Sequence, residues 1–405
     1  MKILLVSQYF WPESFQINSI VARLVRDGHQ VDVLTGKPNY PKGRIYPEYR
    51  AWGCSTELHQ SATIHRIPLA PRKTGAVRLA ANYLSFVASG LLFGPWMLRH
   101  CQPDVIFVYA PSPLLQALPA IWLAKLKRRK LVLWVQDLWP ESLSATGHVK
   151  NRIVLGLVER LVRYIYRKTD LILVQSPAFE APVRRLAPDR EIACLPNSVD
   201  DSFAVRPALQ GAIPNQFTVM FAGNLGTAQA VECILAAAEA LREHTDICIM
   251  LVGDGSRRPW LLEEVARRRL GNVLLPGRFP PSDMPEMMAG ASTLLVTLAA
   301  QEIFEYTVPS KVQAYMAAGR PVIAALNGEG ARIVRESGCG LAVPAEDAEA
   351  LAAAILRLRD MDPVERQAMG DAGHAWYQAH YREDMLVENL LGYLKGAAQH
   401  IQEFE

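Results

Sequence analysis

Phe217-Thr218-Val219-Met220-Phe221-Ala222-Gly223-Asn224-Leu225-Gly226 carries the pattern from which the architecture can be built. A short apolar run closed by a glycine turn reads as a strand buried on both faces. An Ala-rich helical stretch follows at 229–243, then a second apolar run at 247–252. Strand, turn, helix and strand in that order make a βαβ unit, which requires parallel strands. The amino-terminal half opens the same way: a strand at 2–7, a polar loop at 8–15, a helical period at 17–27 stopped by Gly28-His29, and a strand at 30–34. Further strands are predicted at 105–109, 131–135, 171–174 and 192–195, then at 273–275, 293–296 and 321–325. Beyond 347 the pattern is helical. The fold class is therefore α/β: two Rossmann-like, doubly wound parallel-sheet domains facing across a cleft, with ligands at the carboxyl ends of the strands. The boundary is expected in 200–216, which is polar, holds two prolines and lacks periodicity.

A chain of 405 residues, 50% apolar and 20% charged, fits two globular domains and excludes disorder. The net charge of +3 conceals a division. Residues 1–200 carry 26 Lys and Arg against 14 Asp and Glu, a net +12; residues 201–405 carry 17 against 26, a net −9. The six cysteines form no C-x-x-C pair, so neither a disulfide framework nor a zinc site is expected. The apolar start at Ile3–Val6 is too short for a signal core, which points to a cytoplasmic chain. The run 79–98 has the length of a membrane span but is broken by Asn82, Ser85, Ser89, Gly90, Gly94 and Pro95. A mostly buried helix is the expectation, a helix in the membrane interface the second reading.

The glycines of 223–226 let backbone N–H groups approach a phosphate at a helix start. Val252-Gly253-Asp254-Gly255 ends the next strand in the same way. Pro276-Gly277-Arg278-Phe279-Pro280-Pro281 is either a surface for a flat base or a rigid turn. Thr307-Val308-Pro309-Ser310-Lys311 opens a helix at 312–318, with Ser310 expected as its cap and Lys311 beside its free N–H groups. Each turn alone has a plain packing explanation; three on one domain favour a diphosphate site. In the first half, Asp137, Trp139 and Glu141 sit on a loop after a strand, where functional residues concentrate. Asp137 is the preferred catalytic-loop residue, and Glu141 has a cap as its alternative role.

Taken together these residues resemble the family 4 retaining glycosyltransferases of the two-Rossmann (GT-B) fold. The resemblance rests on Arg26-Asp27-Gly28-His29-Gln30-Val31, Leu195-Pro196-Asn197-Ser198-Val199-Asp200, Gly253-Asp254-Gly255 and Tyr315-Met316-Ala317-Ala318-Gly319-Arg320-Pro321-Val322. Ser7-Gln8-Tyr9-Phe10-Trp11-Pro12-Glu13-Ser14 and Pro309-Ser310-Lys311 look like a bacterial surface-polysaccharide branch that includes N-acetyl-L-fucosamine transferases of O-antigen synthesis. The resemblance implies residues 1–205 as the acceptor-binding, membrane-facing domain and 206–380 as the nucleotide-sugar domain. Residues 381–405 would be a helix packing back on the first. It implies a UDP-sugar donor, no cofactor and no metal. Gly223, Asn224, Gly226, Gly253, Gly255, Arg278, Phe279, Pro309, Ser310 and Lys311 would bind the nucleotide sugar. Asp137, Lys311 and Glu302 would be catalytic, with Glu13, Asn39, Tyr40 and Trp139 on the acceptor side. Departures stand at Asn224 and Gln229, where the family has Arg and Lys, at Gln136 in place of a His, and at Ala314 in place of a Glu. Glu302 and Glu305 are close to the position of a second missing Glu, near Tyr306.

The implied reaction moves a sugar from UDP to a polyprenyl-diphosphate-linked saccharide on the inner face of the plasma membrane. Basic clusters beside apolar helical faces, at Lys125, Lys127, Arg128, Arg129 and Lys130 and at Arg152, Arg160, Arg163, Arg167 and Lys168, suit anionic headgroups at about 1 kcal/mol each. Ordinary solvated helix faces are the plain alternative. No nucleic-acid motif accompanies the charge. Two other functions remain open: a non-hydrolysing UDP-sugar 2-epimerase on the same fold, and a non-catalytic partner of a polysaccharide complex.

Overall fold

A computed structural model describes residues 1–73, 75–145, 151–199, 203 and 216–399. The chain divides into two compact units, Met1–Pro196 with Asp384–Glu405, and Asn197–Glu383. The first holds β1 (Lys2–Val6), β2 (Gln30–Gly36), β3 (Ser55–His59), β4 (Ala62–Ile67), β5 (Val105–Ala110), β6 (Leu131–Val135), β7 (Leu171–Val174) and β8 (Glu191–Cys194). They lie in the order β3-β4-β2-β1-β5-β6-β7-β8, parallel except for β3 against β4. The second holds β9 (Phe217–Ala222), β10 (Ile247–Val252), β11 (Val273–Gly277), β12 (Thr293–Thr297), β13 (Val322–Ala325) and β14 (Gly340–Val343), in the order β11-β10-β9-β12-β13-β14, all parallel. The two doubly wound parallel sheets are those expected from the strand pattern.

Three strands escaped the sequence reading. β4 carries His65 and Arg66 mid-strand, which hides its buried character. Both are paired: His65 with Asp32 at 2.9 Å, and Arg66 with Glu57 Oε1 and the Trp11 carbonyl at 2.5 Å each. The hairpin joining β3 to β4 turns at Gln60-Ser61, both left-handed but without the glycine that would announce it. β14 is only four residues long and begins with glycine.

The boundary between units falls earlier than the expected 205/206. Val199 is already buried in the second unit's core with Met220 and Tyr315, Phe203 packs against that core, and Gln313 Nε2 donates to the Asn197 carbonyl at 2.9 Å. The remainder of the expected linker, with Asp200 and Asp201, lies outside the described residues. At the other end, the helix Glu383–Gln399 belongs to the first unit from Asp384 onward. It buries Leu386, Val387, Leu390, Leu391 and Leu394 against Ile20, Leu24 and Val31.

The helix Ala76–Met97 is long and apolar enough to cross a membrane by composition, yet only a third of its apolar window is buried. This corrects the expectation of a mostly buried helix. Its inner face is tied to the unit by polar groups. Asn82 is fully buried, accepts from Gln8 Nε2 at 2.7 Å and donates to the Ala70 carbonyl at 2.6 Å. Its outer face leaves Val77, Leu84, Leu92 and Trp96 exposed. It packs beside the helix Ala117–Lys127, where Trp122 and Leu126 are exposed, and that helix contacts Arg152–Arg167. The basic clusters are not all free for a partner. Lys127 Nζ caps the carbonyls of Leu98 and Cys101, and Lys130 pairs with Asp170 at 3.0 Å.

Because the last helix completes the first unit's core, Leu390→Ala and Leu394→Ala should each destabilise that unit by about 2–4 kcal/mol, read by urea unfolding. Destabilisation below about 1 kcal/mol in both would contradict this packing.

Candidate active site

In the second unit the glycine turns after β9, β10 and β11 lie against one another. Gly223 N–H donates to the Val252 carbonyl at 2.9 Å, and Gly253 N–H donates to the Gly277 carbonyl at 2.8 Å. Gly253 has φ +138°, and a Cβ there would stand 1.8 Å from the Gly223 carbonyl oxygen. Its glycine is demanded by this backbone approach, which no longer chain could share.

Gly223 is glycine for another reason. With φ +135°, it leaves room for the side chain of Lys311, whose Cε lies 2.6 Å from where a Cβ would be. The lysine comes from the helix Ser310–Ala318. One turn on, buried Tyr315 accepts from the Ala222 N–H at 2.9 Å and so fastens that helix to the end of β9. The Lys311 ammonium lies 3.8 Å from the centroid of the Phe221 ring and has no carboxylate partner among the described residues. Burial pushes it down to about 7. A desolvated cation without a counter-ion at the carboxyl end of a parallel sheet is arranged to receive an anion.

The neighbouring residues are placed as follows. The helix is capped by Pro309, not by Ser310, because Pro309 has extended φ/ψ and its carbonyl accepts from Val312 N–H; Ser310 is the first helical residue. Asn224 and Gln229 satisfy each other: Gln229 Oε1 accepts from Gly226 N–H at 3.1 Å and from Asn224 Nδ2 at 3.3 Å. That tie begins a short 3₁₀ turn, Thr227–Gln229, so the helix starts at Val231 and not at 229. Gly255 follows Asp254 in the second turn, where a Cβ would meet the Leu225 carbonyl. Arg278 is exposed after β11, while Phe279 rests against the core with Val252 and Met288, so it is partly spent on packing. Glu302 opens the short helix Glu302–Glu305 after β12, exposed, and accepts from Tyr306 Oη at 2.8 Å.

Two contributors were not anticipated. Tyr315 positions Lys311, and the signal was their four-residue spacing on one helix face. Arg258 begins the helix after Gly253-Asp254-Gly255, with its guanidinium 3.6 Å from the Cβ position of Gly277. Its neighbour Arg257 is occupied by Glu232, whereas Arg258 has no such partner among the described residues.

In the first unit the functional candidates form two groups. Glu13, after β1, is 1% exposed, and its Oε1 accepts from Asn39 N–H at 2.7 Å and Tyr40 N–H at 2.6 Å. Burial lifts its carboxyl to about 7 despite these bonds. Buried Asn39 accepts from Arg72 N–H at 2.7 Å. Tyr40 stands against Tyr9 and Phe15 and under the Arg72 guanidinium. Glu13 and Asn39 thus fasten the loops after β1 and β2 together, and Tyr40 is the half-buried member of the group. The second group follows β6. Burial raises Asp137 to about 6, opposed by hydrogen bonds from Ser142 and Trp139. Trp139 is buried beside Tyr83. Gln136 places its buried Nε2 without a partner. Glu141 is held by Arg185 at 2.6 Å, at the start of Glu141–Ala145. Among the described residues, no group of three His, Cys, Asp or Glu is placed to hold a metal ion.

Both units match families of known proteins. Residues 15–198 match the Glycosyl transferase 4-like domain, and residues 216–360 match Glycosyl transferases group 1. Together the two matches span most of the chain and support a glycosyltransferase of the family 4, GT-B type. It is 26% identical over 327 residues to the probable glycosyltransferase WbjE of Pseudomonas aeruginosa, covering 77% of this chain and 79% of that one. It is 28% identical over 294 residues to the putative colanic acid biosynthesis glycosyl transferase WcaI of Escherichia coli, covering 67% and 70%. Among solved structures, sucrose-phosphate synthase from Thermosynechococcus elongatus shares the fold with TM-score 0.74 at 19% identity, over 98% of both chains. HepE of Anabaena, in complex with UDP and glucose, does so with TM-score 0.68 at 18% identity, over 98% and 99%.

The charged Lys311 destabilises the empty protein, by a few kcal/mol at pH values below about 7. That cost fades as pH rises from 7 towards the free-lysine value, because the folded protein then holds the neutral amine. Lys311→Met should therefore raise the thermal midpoint most at pH 6 and least near pH 10, read by calorimetry. A midpoint difference independent of pH would contradict the buried, unpaired ammonium.

Proposed function

We propose that this glycosyltransferase moves a sugar, with retained anomeric configuration, from a UDP-sugar to a lipid-linked saccharide in surface-polysaccharide synthesis. The observation that carries the reading is the unpaired Lys311 ammonium lying across Gly223, at the carboxyl end of β9. The name of WcaI, a putative colanic acid biosynthesis glycosyl transferase, supports the polysaccharide class, that of WbjE supports glycosyl transfer, and the UDP complexes of HepE support the donor. The resemblance to the fucosamine-transferring branch suggests an N-acetylated hexosamine such as N-acetyl-L-fucosamine.

In the proposed reaction the bond from the anomeric carbon to the diphosphate oxygen breaks, and one to the acceptor oxygen forms on the same face. A leaving phosphate oxygen takes the acceptor proton, so products are UDP and the glycoside. The protein's task is placement and charge stabilisation. Lys311, the first N–H groups of its helix and the nearby Arg258 and Arg278 would receive the charge without a metal. Binding the diphosphate raises the lysine's proton affinity, so donor binding takes up a proton and weakens as pH rises above about 7. Asp137, Glu302 and Tyr40 are assigned to orienting the substrates.

We further infer peripheral attachment to the inner face of the plasma membrane. The first unit's helical layer offers Leu84, Leu92, Trp96, Trp122 and Leu126 to the outside, with Lys125 and Arg128 beside them.

A panel of nucleotide sugars with a lipid-linked acceptor, scored by released nucleotide, tests the reaction. Release from a UDP-sugar only when acceptor is present is expected; release without acceptor favours the epimerase, and UDP binding without transfer favours the non-catalytic partner. Lys311→Ala should lower turnover by about 10²–10³ with the fold intact, and EDTA should leave it unchanged. Flotation with anionic liposomes tests attachment: Leu92→Ser with Trp96→Ser should reduce the bound fraction several-fold.

A further inference from the structure

A second basic site lies at the opposite end of the first unit's sheet. A cavity of about 560 Å³ is lined by Arg160, Arg163, Arg167, Lys168 and Arg190, with Tyr164 and one carboxylate, Asp189, beside them. Its residues come from the end of the helix Arg152–Arg167 and from the loop that enters β8. Lys168 precedes β7 and Arg190 immediately precedes β8, so the cavity stands at the amino ends of these parallel strands. Gln136, Asp137 and the Glu13–Tyr40 group all follow the carboxyl ends of theirs. The cavity is thus separate from the residues assigned to transfer.

Five cations in one concavity repel one another unless something compensates. Arg163 is paired with Glu159 at 2.8 Å, yet its buried Nε has no acceptor. Arg160, Arg167, Lys168 and Arg190 have no ion pair among the described residues. The carbonyl end of the helix favours cations at 167 and 168. It gives no reason for Arg160, about two turns earlier, or for Arg190, on another segment. Three unpaired arginines and a lysine lining one cavity, with Arg163 beside them, match the oxygens of a phosphate better than a single carboxylate. The outer face of the same helix continues from Arg160 to Leu157 and Ile153, both exposed, at three- and four-residue spacings.

We propose that this cavity binds a phosphate group, carried either by a soluble phosphate or by the headgroup of an anionic lipid whose chains lie along Ile153 and Leu157. The site is stereochemical: it requires the arginine forks, not merely positive charge. It does not depend on the transfer reaction.

Two double variants test it, Arg167→Gln with Arg190→Gln, and Arg167→Lys with Arg190→Lys, each checked for folding by circular dichroism. Should the double Gln variant not fold, Arg167→Gln alone, at an exposed position, replaces it. Calorimetry with inorganic phosphate reads the soluble source. Flotation with phosphatidylcholine vesicles holding equal fractions of phosphatidic acid or phosphatidylglycerol reads the lipid source. The proposal expects one probe, inorganic phosphate or phosphatidic acid vesicles, to bind the wild type and to lose about tenfold or more in both variants. UDP binding, measured separately, should stay as in the wild type, which keeps failure here distinct from failure of the donor-site reading. Binding of neither probe, binding as strong in the Lys variant as in the wild type, or no preference between the two vesicle types with no phosphate binding, overturns it.

Discussion

Parallel strands cannot be joined by a tight turn, so the chain must cross over after each one and return to the same starting edge. Every consequence for function follows from that constraint. Within each unit the loops that leave the strands are gathered on one edge, whatever their separation in sequence. In the second unit it brings residues 223, 253, 277 and 311 together. In the first it brings Glu13 to Asn39 and Tyr40. The amino ends are gathered equally well, which is how Arg160 to Lys168 meet Arg190.

Lys311 illustrates how local chemistry overrides overall charge. The second half of the chain is acidic, and long-range electrostatics would discourage a diphosphate there. A single desolvated ammonium, held by Tyr315 and admitted by Gly223, opposes this at short range, where screening by water is weakest. The absent Arg and Lys of the glycine turn are replaced by Asn224 and Gln229, which bind each other. In the proposed function, anion capture in this unit rests on Lys311, helix ends and Arg258.

Much of the architecture was legible from pattern. Buried parallel strands are continuous apolar runs, so β6, β7, β9 and β10 were located to the residue. The hairpin β3–β4 was hidden because its polar residues are neutralised by partners distant in sequence, Asp32 and Trp11 among them. The helix Ala76–Met97 shows the same limit. Its composition is that of a span, and Asn82, which looks like an interruption, is the buried anchor that ties it to Gln8 and Ala70.

Short-range periodicity and residue types adjacent in the chain were enough for the α/β class, the two sheets and the glycine turns, and they singled out Lys311 as a candidate. Tertiary structure alone decided what each residue does there. Gly253 answers to a neighbouring carbonyl and Gly223 to a lysine. Glu13 and Asn39 fasten two loops, and Lys127 caps a helix. The first unit's core is closed by residues from the far end of the chain. Such roles are set by contacts between segments tens to hundreds of residues apart, which periodicity does not record.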